Sequence, residues 1–225
     1  MINKKILFFT DLEGTILRDS DGDFYELDFE DLISELSRMG TLTDATVDIR
    51  LVSPIGFKRM NKIVDKMDTS IARYFRREKL VSNVKLVEAA ASPYDMHSED
   101  IVSSRKISRK IIPLPNARHS SDIAREAKRK YLKYVFEACK GDIALSIYAG
   151  NDRNDIDAMQ YLKRKQNGFL ICPQNSITEL LNISDFVSND PDILGVIDGI
   201  SKINEKIEIR TRKTKQMLET DNERV

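Results

Sequence analysis

Two carboxylates follow a short apolar run near the start of the chain, and they are the first candidates for chemistry. Residues 6–10 read Ile-Leu-Phe-Phe-Thr, and Asp11, Glu13 and Gly14 come directly after them. One carboxylate could attack phosphorus and form an aspartyl-phosphate, while the other protonates the leaving oxygen and then activates water. Gly14 would let the backbone approach a phosphate closely. The alternative for the two acids is a purely structural turn or helix cap.

A second polar cluster follows the apolar run at 143–149. Five of the seven residues from 151 to 157 are Asp or Asn, more than helix capping alone requires. Carboxylate and amide oxygens are the ligands that Mg²⁺ prefers. The oxygens of this cluster, which includes Asn151, Asp152 and Asp155, could therefore bind a hard cation such as Mg²⁺.

A phosphate also needs hydroxyl and cationic partners, and the sequence offers both. Ser53 follows a predicted strand at 47–52, and its hydroxyl could hold a phosphate oxygen. A lysine on the helix that starts near Ser121 could offset negative charge between a carboxylate and a phosphate. Lys128 is the first candidate and Lys130 the second, although each taken singly is equally well explained as part of a solvated helix face.

Short continuous apolar runs alternate with helical patterns along the chain. This pattern predicts an α/β fold of three layers, a Rossmann-like and mostly parallel sheet with helices on both faces. Strands are predicted at 6–10, 47–52, 84–90, 143–149, 169–172 and 186–187, and helices at 29–39 with Gly40 as the stop, 57–77, 121–139, 155–165, 177–181 and 193–203. Ligand sites of such sheets lie beyond the carboxyl ends of the strands, so the three polar clusters should meet at one edge.

The chain of 225 residues suits one core domain, predicted at 1–205, with a small insert or flap at 92–120. Residues 206–225 are predicted to form a charged C-terminal tail that is frayed, disordered or open to a partner.

Acidic and basic residues number 36 each, so the formal net charge is zero and does not favour a nucleic acid or an anionic membrane as partner. We interpret the basic clusters 128–130 and 163–165 as solvated helix faces. No apolar run is long enough to span a membrane. The two cysteines, Cys139 and Cys172, lack metal-binding spacing and suit free thiols of a cytoplasmic protein.

These residues resemble the motifs of the haloacid dehalogenase-like (HAD) hydrolase superfamily, over roughly residues 4–203. Residues 8–15, Phe-Phe-Thr-Asp-Leu-Glu-Gly-Thr, are similar to its hhhhDxDGT motif, and residues 51–53 to its strand-terminal Ser or Thr. Lys128 corresponds to its helix lysine, and residues 150–155 resemble its acidic GD(D)xxD loop. Glu13 stands at the usual second Asp of the first motif, and Asn151 at the usual first acid of the fourth.

The resemblance implies a role for each residue. Asp11 would be the nucleophile and a Mg²⁺ ligand, and Glu13 the general acid/base with its backbone carbonyl on the metal. Ser53 and Lys128 would bind the phosphoryl group. The remaining residues would complete or orient the magnesium shell: Asn151, Asp152 and Asp155.

The expected function is that of a magnesium-dependent phosphatase for a phosphate monoester, with a sugar phosphate or similar small metabolite as substrate. Too little chain is inserted for a full cap domain, and the open site also suits a macromolecular substrate or a lid from a second subunit of a homo-oligomer. Two alternatives therefore stay open. One is a phosphatase of a polynucleotide end or a phosphoprotein. The other is a catalytically weak HAD-fold binding or regulatory protein, motivated by Glu13 and Asn151.

Overall fold

The computed structural model describes residues 4–18, 25–92, 110–114, 121–139, 142–165 and 167–222. Seven strands of these residues form a parallel sheet in the order β4-β3-β2-β1-β5-β6-β7. The strands are β1 Lys5–Thr10, β2 Thr46–Gly56, β3 Val84–Ser92, β4 Ile111–Pro113, β5 Ile143–Ala149, β6 Gly168–Cys172 and β7 Phe186–Val187. The helices are α1 Glu26–Thr43, α2 Phe57–Glu78, α3 Ser121–Ala138, α4 Ile156–Lys163, α5 Thr178–Leu181 and α6 Asp192–Asn222, and a short 3₁₀ turn spans Arg153–Asp155.

Alternate side chains of the central strand β1 enter two separate apolar layers. Ile6 and Phe8 pack with residues of α1, α2 and α6 on one face of the sheet. Leu7 and Phe9 pack with residues of α3 and α4 on the other. A strand buried on both faces has to be apolar throughout, which explains the continuous runs in the sequence. The predicted three-layer α/β class is confirmed.

Among the boundaries that differ from the sequence prediction, two change the interpretation of a residue. Helix α1 does not stop at Gly40 but runs to Thr43, and Asp44 caps it in the left-handed conformation at φ 50°. Gly40 is required instead by close packing, since a Cβ there would lie 2.7 Å from Asn83 Nδ2 and 2.8 Å from the Ala45 carbonyl oxygen. Strand β2 runs past Ser53 to Gly56, so Ser53 lies within a strand rather than after one.

The helix predicted at 193–203 continues into the charged tail, through residues 206–222. Ile203 is buried and Ile207 packs against the same apolar cluster, while Arg38 and Glu208 form an ion pair at 2.7 Å. The division into a core and a tail stays a prediction.

Most of the predicted insert at 92–120 lies outside the described residues. The described part, 110–114, contains β4, which pairs with β3 in parallel. Among the helices that the structure describes, none combines the length and the apolar character needed to cross a membrane.

Candidate active site

The site is centred on Asp11, the first residue after the central strand β1. Its backbone N–H donates to the Ala149 carbonyl at 3.0 Å, which joins the ends of β1 and β5. Its side chain is 2% exposed. Its Oδ1 atom makes no hydrogen bond of good geometry with any described residue, although it lies 3.1 Å from the Lys128 ammonium. A buried carboxylate oxygen of this kind can still accept a ligand or attack one.

Lys128 reaches the site from α3 and is fully buried. Its Nζ lies 3.1 Å from Asp11 Oδ1 and 2.7 Å from Asp155 Oδ1, and it donates to Asn154 Oδ1 at 2.6 Å. A buried ammonium persists only when it is paired in this way. Lys130, the second candidate, is exposed and pairs with Glu126 at 2.9 Å. The structure therefore brings Lys128 to Asp11, whereas Lys130 faces solvent.

Asp155 has both carboxylate oxygens occupied. Oδ1 accepts from Lys128 and from the Tyr148 hydroxyl at 2.8 Å, and Oδ2 accepts from the backbone N–H groups of Asn151 and Asp152 at 3.2 Å each. These four donors use the acceptor capacity of the carboxylate. Gly150 is required beside it, because a Cβ there would lie 2.7 Å from Asp155 Cγ. Asp155 thus orients the 150–155 loop and Lys128.

Two hydrogen bonds tie the loop after β1 to the rest of the site. The Thr15 hydroxyl donates to the side-chain oxygen of Asn151 at 3.1 Å. Asn175 donates to the Gly14 carbonyl at 3.0 Å. Gly14 has φ 66°, the left-handed region that favours glycine. The predicted site residues Asp11, Gly14 and Asn151 therefore belong to one connected unit.

The remaining predicted residues occupy different environments. Glu13 is half exposed and its carboxylate pairs with Arg59 in the first turn of α2. Ser53 is 1% exposed, and its hydroxyl makes no hydrogen bond with any described residue, so it is available to a ligand oxygen. Asp152 is exposed and accepts from Asn154 Nδ2 at 3.2 Å.

Burial sets the protonation of the central groups. It raises the pKa of Asp11 to about 7, with Asp155 adding to the rise and Lys128 opposing it. Burial opposes the charged form of Lys128, but the carboxylates of Asp11 and Asp155 outweigh it and raise the pKa of Lys128 above its usual value. Burial and the Asp155 carboxylate also raise the pKa of Tyr148, so its hydroxyl stays a donor.

The donor set fits a hard divalent cation. All the candidate ligands are oxygens, and Asp11 Oδ1 is buried without a hydrogen bond of good geometry. Among the described residues no group of three or more His, Cys, Asp or Glu side chains comes together at one metal site. The residues present would therefore supply few ligands, chiefly Asp11 and Asn151. A hard cation held by so few protein ligands would complete its coordination with waters and substrate phosphate oxygens.

In the metal-free protein, we expect Asp11 to make the free energy of unfolding fall as the pH rises from about 4 to about 7. Its pKa in the folded state, about 7, lies above the 3.8 of an unperturbed aspartate, so the folded state binds this proton more tightly. The stability that Asp11 contributes is fully present below pH 3.8, the pKa of an unperturbed aspartate, and is lost as the pH rises through about 7, its pKa in the folded state. Urea denaturation of the wild type and Asp11→Asn in EDTA, at about pH 5 and about pH 8, measures the difference. Parallel pH profiles for the two proteins would contradict this assignment.

The sequence prediction missed several residues of the site. Tyr148 lies in an apolar strand, where the sequence pattern predicts a core residue. Its hydroxyl, which donates to Asp155, is the only feature of the residue that could have indicated a role in the site. Asn154 was counted only as one of several polar loop residues. Nothing in the sequence singles out Arg59, which approaches Glu13 because α2 begins beside the loop that follows β1.

No family model and no curated protein matches the chain. Among solved structures, 3-deoxy-D-manno-octulosonate 8-phosphate phosphatase from Moraxella catarrhalis, in complex with magnesium, phosphate and KDO, is 15% identical with a TM-score of 0.45, and 92% of each chain is covered. The cobalt-bound deoxy-D-mannose-octulosonate 8-phosphate phosphatase from Haemophilus influenzae is 12% identical with a TM-score of 0.45, covering 90% of this chain and 91% of that one. A haloacid dehalogenase-like hydrolase from Bacteroides thetaiotaomicron is 10% identical with a TM-score of 0.48, covering 89% of this chain and 100% of that one.

Proposed function

We propose that this chain is a magnesium-dependent phosphatase of the HAD-like type, which hydrolyses a phosphate monoester through an aspartyl-phosphate on Asp11. One observation carries the proposal. Asp11, buried at the end of the central strand β1, has an Oδ1 atom that accepts no well-aligned hydrogen bond from any described residue and lies 3.1 Å from the buried ammonium of Lys128. Such a pair can attack phosphorus while the cation offsets the charge that gathers there.

In the first step, an Asp11 carboxylate oxygen forms a bond to phosphorus and the bond from phosphorus to the leaving oxygen breaks. Lys128 stabilises the negative charge on Asp11 and the phosphoryl oxygens, and Asp155 holds Lys128 in place. The hydroxyl of Ser53 would donate a hydrogen bond to a phosphoryl oxygen. Because Lys128 is already fixed by three partners, little reorganisation is needed during the reaction.

Glu13 would carry the proton in both half-reactions. It protonates the leaving oxygen, and it then takes a proton from the water that attacks the aspartyl-phosphate, which releases phosphate and restores Asp11. Its carboxylate pairs with Arg59 at the surface. We propose that Arg59 positions Glu13 at the mouth of the site, so that the long glutamate arm reaches the leaving oxygen.

Mg²⁺ would be held by Asp11, Asn151 and the backbone carbonyl of Glu13, with Asp152 and Asp155 around it, and it would neutralise charge between Asp11 and the phosphate. Asp155 would contribute indirectly, because its own oxygens already accept four hydrogen bonds.

Hydrolysis of a generic aryl phosphate tests the reaction class. We expect release of phosphate with Mg²⁺ and its loss in EDTA. A parallel screen of sugar phosphates against 3′-phosphorylated oligonucleotides tests the substrate, for which we propose a sugar phosphate or a similar small metabolite. No release from any of these esters at any Mg²⁺ concentration would overturn the proposal.

We also propose that the enzyme works in the cytoplasm and that a second copy of the chain covers its site. Cys139 and Cys172 are free thiols, which suits the reducing cytoplasm. With little inserted chain to cover the site, a second copy of the chain could supply a lid.

Asn151 supports a second candidate, a catalytically weak HAD-fold protein that binds rather than turns over its ligand. A neutral amide gives Mg²⁺ less electrostatic attraction than a carboxylate would. With Asp155 fully hydrogen-bonded, Asp11 would be the main charged ligand. Weak metal binding in the wild type, with little turnover, would favour this candidate.

We expect Asn151→Asp to bind Mg²⁺ on the order of tenfold more tightly than the wild type, because the charge of the ligands sets the affinity of such sites. The Thr15 hydroxyl can donate to the new carboxylate as it does to the amide. Isothermal titration calorimetry measures the affinity, and Asn182→Asp makes the same change at an exposed position away from the site. An equal gain in both variants, or none in Asn151→Asp, would argue against Asn151 as a ligand.

A further inference from the structure

Two basic clusters that lie far apart in the sequence, 128–130 and 163–165, meet in space on the neighbouring helices α3 and α4. Between these helices lies a cleft of about 160 Å³, lined by Arg129, Asp157, Gln160, Tyr161 and Arg164. A wider cleft of about 340 Å³ adjoins it and is lined by Arg129, Lys130, Lys133 and Tyr161. Arg129 and Tyr161 line both, so the two form one concave surface, which we call the α3–α4 cleft.

Two arginines of the α3–α4 cleft form no ion pair within the described part of the chain. Arg129 and Arg164 are exposed, and neither forms an ion pair or hydrogen bond with any residue that the structure describes. The one acid that lines the cleft, Asp157, is already paired with Arg125 at 2.5 Å. A chain with zero net charge thus places two arginines without ion pairs to described residues at one concavity.

The basic side chains of α3 are arranged in a line. Arg129 and Lys133 are four residues apart, so they lie on one stripe of the helix about 6 Å apart, with Arg129 one turn after Arg125, which is paired with Asp157. Lys133 is only loosely engaged by Glu137, at 3.9 Å. A line of cations suits a chain of phosphates better than a single phosphate.

Aromatic rings are interleaved with these charges. Tyr161 is held in place by an edge contact to Phe136, with ring centroids 5.9 Å apart, and by the Lys165 ammonium 4.6 Å from its ring centroid. Tyr134 does not line the cleft itself, but it follows the cleft residue Lys133 on α3 and is 60% exposed. Basic side chains that track a backbone, together with rings on which bases stack, are the features of sites for single-stranded nucleic acid.

We propose that the α3–α4 cleft binds single-stranded nucleic acid. Arg129 and Arg164 contact successive backbone phosphates, Lys130 and Lys133 extend the path, and bases stack on Tyr161 or Tyr134. The tyrosine rings favour a nucleic acid over a bilayer surface, because lipid headgroups offer no bases to stack on them. The site stands apart from the proposed hydrolysis, and its test measures binding alone.

Fluorescence anisotropy with a fluorescein-labelled oligothymidylate tests the proposal. We expect Arg129→Glu/Arg164→Glu to bind at least about tenfold more weakly than the wild type, and its slope of log affinity against log salt to be shallower by about 1.4, or 0.7 for each lost phosphate contact. The control is Arg76→Glu/Arg210→Glu, which makes the same charge change at exposed arginines on α2 and α6 and should stay within about twofold of the wild type.

Tyr134→Ala provides a variant without a charge change and should weaken binding by at least about fivefold, the loss of one stacked base. The side chains that these variants replace are all exposed: Arg76, Arg129, Tyr134, Arg164 and Arg210. Circular dichroism checks that each variant is folded. Failure of the wild type to bind the oligonucleotide would overturn the proposal. An equal loss of affinity in the two double-arginine variants would also overturn it, as would binding to phosphatidylserine vesicles but not to the oligonucleotide.

Discussion

Replacement of Lys128 by methionine should lower the free energy of unfolding by about 3–5 kcal/mol, because it leaves the buried carboxylate of Asp155, and that of Asp11 when it is ionised, without a cation. Asp11 and Asp155 lie 3.1 and 2.7 Å from the ammonium, and the side chain of Lys128 is fully buried. Methionine keeps most of the apolar length of the stem, so the loss reports charge rather than a cavity. Urea denaturation with a linear extrapolation measures it.

Lys130→Met is the matched control on the same helix. Lys130 is exposed, and its pair with Glu126 should contribute no more than about 0.5 kcal/mol. The double variant Lys128→Met/Asp155→Asn should recover part of the loss, because it removes one of the two stranded charges. A loss below about 1 kcal/mol for Lys128→Met would mean that the ammonium does not balance these carboxylates.

Asp11→Asn should lower kcat for an aryl phosphate by at least about 10³-fold, since the amide keeps the shape of the side chain but cannot attack phosphorus. The variant should stay folded, because Lys128 keeps its partners Asp155 and Asn154. A steady-state assay with saturating Mg²⁺ measures kcat, and a thermal melt confirms the fold.

Asp122→Asn is the control for this variant, as it makes the same change at an exposed position in the first turn of α3. Its kcat should equal that of the wild type. If Asp11→Asn keeps more than about a tenth of the wild-type kcat, another group performs the attack.

The sheet and one edge of the site could be predicted from the sequence for a simple reason. Strands such as β1 and β5 are buried on both faces, so their apolar runs mark them directly, and the polar residues after them have to lie at the ends of the strands. Asp11 and Asn151 were therefore expected at one edge, and the backbone bond from Asp11 to Ala149 joins these two strand ends.

The choice between two lysines of one basic cluster was harder. On α3, the buried residues Ala124, Tyr131 and Val135 form an apolar stripe, and Lys128 lies on that stripe four residues after Ala124. This position was a usable signal, since Lys130 falls on the opposite side of the helix. The three partners of its ammonium were not predictable, because they come from separate elements.

Contacts between distant elements account for the other differences. Gly40 was interpreted as a helix stop because glycine often plays that part, but here packing against Asn83 requires it. The basic residues Arg129, Lys130, Lys163 and Arg164 are exposed, as expected of solvated helix faces, but the sequence does not say that α3 and α4 are neighbours. Their meeting in one cleft is a property of the fold alone.

Chemical trapping of the phosphorylated residue tests most directly that Asp11 is the nucleophile. The enzyme is mixed with an aryl phosphate and Mg²⁺, quenched in acid during the first turnover and reduced with borohydride, which converts an aspartyl-phosphate to homoserine. Peptide mass spectrometry then identifies the modified residue. We predict that Asp11 is converted to homoserine in the wild type and that Asp11→Asn yields no homoserine. Phosphate release with Asp11 unmodified, or homoserine at any other aspartate, would contradict the proposed mechanism.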